Sequence, residues 1–218
     1  RYTHWCRSVA PLHPVPEPRP LAHREPWPGG RVNHYLFDLN RDWAWQTQQE
    51  TQQRLQVFQQ WMPNIHVDYP EQFPNSPYYF APAASPYHEF ITDWQADFQH
   101  TMGESHAGYF DREGWLYFTR EVFDLFYPSY GDTYPTFNGA IGMTYEQAGH
   151  SIAGRQVIME NADTLTLQDR IDHHTATALA TIEAAADNRN RLVTAFTDYF
   201  QRAQQSPIGQ YKSFVVSR

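Results

Sequence analysis

Two arginines and an asparagine stand around one short apolar run near the start of this chain. Arg31 comes first, then Tyr35, Leu36, Phe37 and Leu39, then Asn40 and Arg41. The run has the composition of a strand buried in a sheet, which would place the polar groups at its ends. A guanidinium is a planar fork that meets a carboxylate in two parallel hydrogen bonds, so the chemistry expected here is carboxylate capture. A second candidate lies far along the chain, where Glu146 closes the apolar stretch over 139–145. A carboxylate there sits on the rim of a sheet, where α/β proteins place their sites. Desolvation at such a rim raises its pKa toward the range of a general base.

The elements that must position these groups can be read from periodicity. Residues 1–30 are proline-rich and read as an extended lead-in, with surface histidines His4, His13 and His23. Residues 43–61 read as a helix with Asp42 as N-cap, burying Leu55, Phe58, Trp61 and Met62. A strand follows over 64–69, with Ile65, Val67 and Tyr69 on one side and His66, Asp68 and Pro70 on the other. A helix is expected over 87–99, facing inward through Ile91, Trp94 and Phe98. The apolar and aromatic stretch over 114–126 has no period that selects helix or strand. Residues 127–135 carry turn chemistry, 139–145 a buried strand, and 166–188 and 191–204 two helices. Leu192, Phe196 and Tyr199 mark the inner face of the last. Buried strands alternating with amphipathic helices predict an α/β fold, with a mixed, largely parallel sheet flanked by helices. One domain is expected over 31–218, after the lead-in.

The order Arg-x-Asn over 31–33, followed by Asp-Leu-Asn-Arg over 38–41, resembles the zinc carboxypeptidase family, the carboxypeptidase A-like metallocarboxypeptidases. The resemblance runs from the lead-in before Arg31 through the helices after Glu146. It implies a carboxypeptidase-like fold truncated at its N-terminus, and a peptidase that cleaves C-terminal peptide bonds through a metal-activated water. On that basis Asn40 and Arg41 hold the substrate's terminal carboxylate, and Arg31 polarises the scissile carbonyl. Glu146 becomes the general base. The loop over 127–135 matches the family's mobile tyrosine loop. Tyr127 is the better positional match for the tyrosine that closes over substrate, and Tyr130 is its rival. The alternative is a non-catalytic module that only grips peptide C-termini.

Zinc is the cofactor of that family, held by three protein ligands beside an open water position. The family's His-x-x-Glu pair occurs nowhere in this chain. Its third ligand, a histidine ending an Asp-aromatic-His pattern, falls on Pro70, whose side chain has no donor atom. His66 shares that face but lies four residues earlier, about 13 Å away at about 3.3 Å per residue. Glu71 could stand in only if the strand end rearranged. His173 and His174 are adjacent on a helix, about 100° apart, and chelate poorly. The expectation is a carboxypeptidase-like chain that does not hold zinc on its own.

Composition narrows the field. The 218 residues are 41% hydrophobic and 16% aromatic, enough to build a core and unlike a disordered segment. A net charge of −8 argues against a nucleic-acid partner. No apolar run is long enough to span a bilayer. The single cysteine, Cys6, excludes an internal disulfide. Starting at Arg1, without methionine or leader, the chain reads as a processed product or fragment. The partner expected is a peptide or protein C-terminus. A homodimer, or pairing with a missing N-terminal half, would cover the sheet edge left open. The family resemblance alone points to export.

Overall fold

The computed structural model describes residues 31–150 and 152–206, together with His4, Arg7, Trp27, Gly29, Tyr211, Val215 and Val216. Apart from those single positions, the lead-in expected over 1–30 lies outside the described residues.

The sheet is built on parallel pairs. Strand β1 (Ile65–Asp68) runs parallel to β7 (Ile141–Thr144), with Ile65 opposite Ile141 and Asp68 opposite Thr144. The same alignment continues into β2 (Glu71–Gln72) and β8 (Gln147–Ala148). On the other side of β7–β8, Tyr79 and Glu146 exchange backbone hydrogen bonds of 3.0 and 2.9 Å. That bridge brings in β3 (Tyr78–Tyr79), which pairs in parallel with β5 (Tyr117–Phe118). Strands β4 (Ala84–Tyr87) and β6 (Asp124–Leu125) extend that pair. A separate antiparallel hairpin joins β9 (Gln156–Ile158) to β10 (Thr164–Thr166). The fold is α/β with a mixed, largely parallel sheet, as the alternation of elements predicts.

Among the described residues, these helices complete it: α1 (Gln49–Trp61), α2 (Asp93–Glu113), the short α3 (Thr133–Thr136), α4 (Leu167–Asp187) and α5 (Arg189–Gln205). Both long helices α2 and α4 start at a reciprocal capping box, Thr92 with Gln95 and Thr166 with Asp169. Alternation along β7 explains the division of labour between its faces. Ile141, Met143 and Tyr145 point into the main core with Phe98, Met102 and Phe110 of α2 and Ala184 of α4. Thr144 and Glu146 point the opposite way, to the face that bears the site. A second cluster, Trp43, Leu55 and Phe58, seats α1 beside that face.

Four expectations need correction. The apolar run at 35–39 is not a buried strand, because Tyr35, Leu36 and Phe37 are exposed at the tip of a turn. Asn33 Oδ1 accepts from the backbone N–H of Tyr35 and Phe37, and Asp38 accepts from that of Asn40. These local bonds satisfy the backbone without a sheet and leave Leu39–Arg41 in a 3₁₀ turn. Helix α1 begins at Gln49 instead of 43, since the Asp42 carboxylate accepts from Thr47 and Gln48 and folds 42–48 into a loop. Trp61, expected inward, is 81% exposed, as the buried face of α1 is Thr51, Leu55 and Phe58. The helix expected over 87–99 runs instead from Asp93 to Glu113, because Tyr87 closes β4 and Thr92 caps the helix.

Candidate functional site

A cavity of about 630 Å³ opens where the carboxyl ends of β1 and β7 meet the segment carrying Arg31, Asn40 and Arg41. Strand alternation supplies much of its lining. Asp68, Pro70 and Gln72 reach it from one strand pair and Thr144 and Glu146 from the other. The loop before β7 adds Tyr130, Gly131 and Asp132. An aromatic wall is made by Phe118 and Phe123, each packed on Tyr79 with ring centroids 5.2 and 4.5 Å apart.

Local bonds fix most of the polar groups. Asn40 donates from Nδ2 to Asp68 Oδ2 at 2.7 Å and accepts at Oδ1 from the Trp43 indole at 3.0 Å. Gly131 lies so close to this pair that a Cβ there would stand 2.5 Å from Asn40 Oδ1. Arg31 pairs with Asp38 at 3.0 Å. Arg41 lies with its guanidinium carbon 4.4 Å from the centre of the Tyr130 ring and donates to the Asn40 carbonyl at 3.2 Å. Among the described residues no carboxylate pairs with it.

Two carboxyls on the lining are buried. Asp132 accepts from the Thr133 N–H and hydroxyl and from the Thr144 hydroxyl, while burial pushes its pKa above the usual range. Glu146 is 8% exposed, and none of the described residues donates a hydrogen bond to its carboxylate. Burial pushes its pKa up to about 7; Asp68 adds to the rise, while Arg31 and Arg41 oppose it.

The fold therefore brings Arg31, Asn40, Arg41, Tyr130, Glu146 and Pro70 onto one cavity. Tyr127 is not on the lining. Its hydroxyl accepts from the Trp45 indole N–H at 2.6 Å, and its ring meets that of Tyr130 at 4.9 Å. Asp132 and the aromatic wall were not singled out from sequence. The Asp68 position carried a signal, since it shares a strand face with Pro70.

The residues present do not fit a zinc ion. No three His, Cys, Asp or Glu side chains among the described residues are grouped to hold a metal. Pro70 on the lining has no donor atom, and Glu71 is engaged by Arg170 at 3.1 Å. His66 is turned away between Trp43 and Phe58, with ring centroids 5.3 and 5.8 Å off. His173 and His174 are taken up by Gln147 and by the Tyr78 hydroxyl. Burial, with the neighbouring His173, pushes the His174 pKa down to about 4.

A parallel-centred sheet flanked by helices, with this cavity at its rim, is a carboxypeptidase-like α/β fold. Its likeness among solved structures includes a metallo-carboxypeptidase from Burkholderia cenocepacia, at a TM-score of 0.54 and 14% sequence identity. The match covers 73% of this chain and 41% of that one, so the chain spans about two-fifths of its structural neighbour. No protein-family model matches the chain, and no curated protein matches it.

Proposed function

We propose that the cavity binds the free C-terminal carboxylate of a peptide, with Arg41 and Asn40 as its anchor and Arg31 beside the adjoining carbonyl. One observation carries this reading: Arg41 lies on the cavity lining with no carboxylate partner among the described residues, although acids surround it. Asp68 is engaged by Asn40 and Asp132 by two threonines, so neither claims the guanidinium. A ligand carboxylate would supply the missing partner in a charge-assisted pair.

Affinities of one short peptide and its C-terminal amide test this. The free acid should bind about 10- to 100-fold more tightly, the span of a hydrogen bond to a charged group. Arg41→Ala should erase that preference, whereas Glu146→Gln should leave it nearly intact. Equal losses from both substitutions would count against these roles.

Glu146 favours a second reading, peptide hydrolysis, because a buried carboxyl with a pKa of about 7 is suited to taking up a proton near neutrality. Carboxypeptidase chemistry also needs a metal-holding group, which the described residues do not supply. Release of a C-terminal amino acid by the purified chain with zinc added, and its loss in Glu146→Gln, would support this reading over binding alone.

A further inference from the structure

The cavity's arginine is the end of a stack that continues outside it. Arg41 lies over Tyr130 at 4.4 Å, Tyr130 meets Tyr127 edge-on at 4.9 Å, and the Tyr127 hydroxyl takes the Trp45 indole N–H at 2.6 Å. Both ends of the stack belong to the same short segment, since Arg41 and Trp45 are four residues apart. A second tie runs parallel to the first. The Ala44 N–H donates to Ser129 Oγ at 2.9 Å, and Ser129 is fully buried. Gly131 presses against Asn40 and Trp43 at a distance that leaves no room for a side chain. The loop bearing the tyrosines is thus fastened to the segment bearing the anchor at three successive places.

We infer that Trp45 and Tyr127 are positioning residues for carboxylate recognition: they hold the Tyr130 ring under Arg41 and so orient its guanidinium toward the cavity. This rests on the carboxylate-binding reading above. It gives Tyr127 a supporting role outside the cavity in place of closure over a ligand, and it gives Trp45 a role that nothing in the sequence marked. The physical reason is pre-organisation. An exposed arginine side chain has several rotatable bonds, and ordering it only when ligand arrives weakens binding. A ring fixed beneath the guanidinium restricts those rotamers beforehand through cation–π contact.

The experiment uses the full chain, one short peptide as free acid and as C-terminal amide, and the variants Trp45→Phe and Tyr127→Phe. Tyr127→Phe keeps its ring and Trp45→Phe puts a phenyl in place of the indole, and each removes one end of the hydrogen bond. Each should weaken free-acid binding about 3- to 10-fold, the range of a single neutral hydrogen bond, while amide binding stays unchanged. In an Arg41→Ala background the same substitutions should have no further effect on acid over amide, because the group they orient is gone. The inference is overturned if both variants lower the melting temperature yet keep the full acid preference, or if acid and amide weaken equally. If Arg41→Ala by itself leaves the acid preference intact, the carboxylate-binding reading has failed, and the positioning role fails with it.

Discussion

Glu146 is where the chemistry of single residues is most exposed to test. Its folded pKa of about 7 lies above its ordinary value of 4.5, so the folded chain holds this proton more tightly than the unfolded one. Stability contributed in this way is complete below the ordinary value and is lost as pH rises through the folded one. Between about pH 4.5 and 7 the loss amounts to at most about 3 kcal/mol. His106 and His174, with pKa values pushed down to about 4 by burial, act in the opposite direction, so the informative comparison is between two variants. Denaturant unfolding should show wild type losing stability relative to Glu146→Gln as pH rises across that window. A constant difference between the two would contradict the burial assigned to this carboxyl. Peptide affinity should follow the same titration, because an ionised Glu146 adds a like charge to a cavity that must accept an anion. Glu146→Gln should retain affinity at about pH 8 where wild type weakens. At this scale the sequence was informative: Arg31, Asn40, Arg41 and Glu146 were marked by residue type and reach one cavity. Asp132 was not, because nothing in a turn-rich loop announces a buried carboxyl, and Tyr127 could not be separated from Tyr130 by spacing alone.

Elements decide how close these groups come. The loop before β7 crosses the anchor at Gly131, where a Cβ would stand 2.5 Å from Asn40 Oδ1, 3.0 Å from Asp68 Oδ2 and 3.1 Å from the Trp43 indole nitrogen. Gly131→Ala should therefore displace Asn40 or Trp43. It should cost about 1–3 kcal/mol of stability by denaturant unfolding and weaken peptide binding as well. Unchanged stability and affinity would mean that this contact does not shape the site. Legibility was uneven among elements. The strand at β1 and the two C-terminal helices were readable because apolar residues recur at clean periods, and the N-cap Thr166 starts the first of those helices sharply. The run Tyr35–Phe37 misled because a short apolar stretch has no period to distinguish a core strand from a turn tip. What fixed it as a turn was side-chain hydrogen bonding by Asn33 and Asp38, a competition that pattern reading does not weigh. The start of α1 shifted for the same reason at Asp42.

At the scale of the whole molecule, the α/β fold with its mixed, largely parallel sheet was legible from the alternation of strands and helices. Its short strands β3, β5 and β6 were not, since they hold only two residues each and owe their state to partners far away in sequence. Pro70 on the cavity lining has no donor atom, and among the described residues no side chains are grouped to hold a metal. Elemental analysis of the purified, dialysed chain should accordingly find well under one zinc per chain. One tightly held zinc per chain would contradict this. The central claim is that a peptide's terminal acid group docks on Arg41 and Asn40. It is tested most directly by a crystal structure of the chain with a short peptide bound. The account predicts the terminal carboxylate within hydrogen-bonding distance of the Arg41 guanidinium, inside the cavity that holds Glu146. A peptide bound elsewhere, or bound here with its terminal carboxylate in solvent and Arg41 untouched, would contradict it.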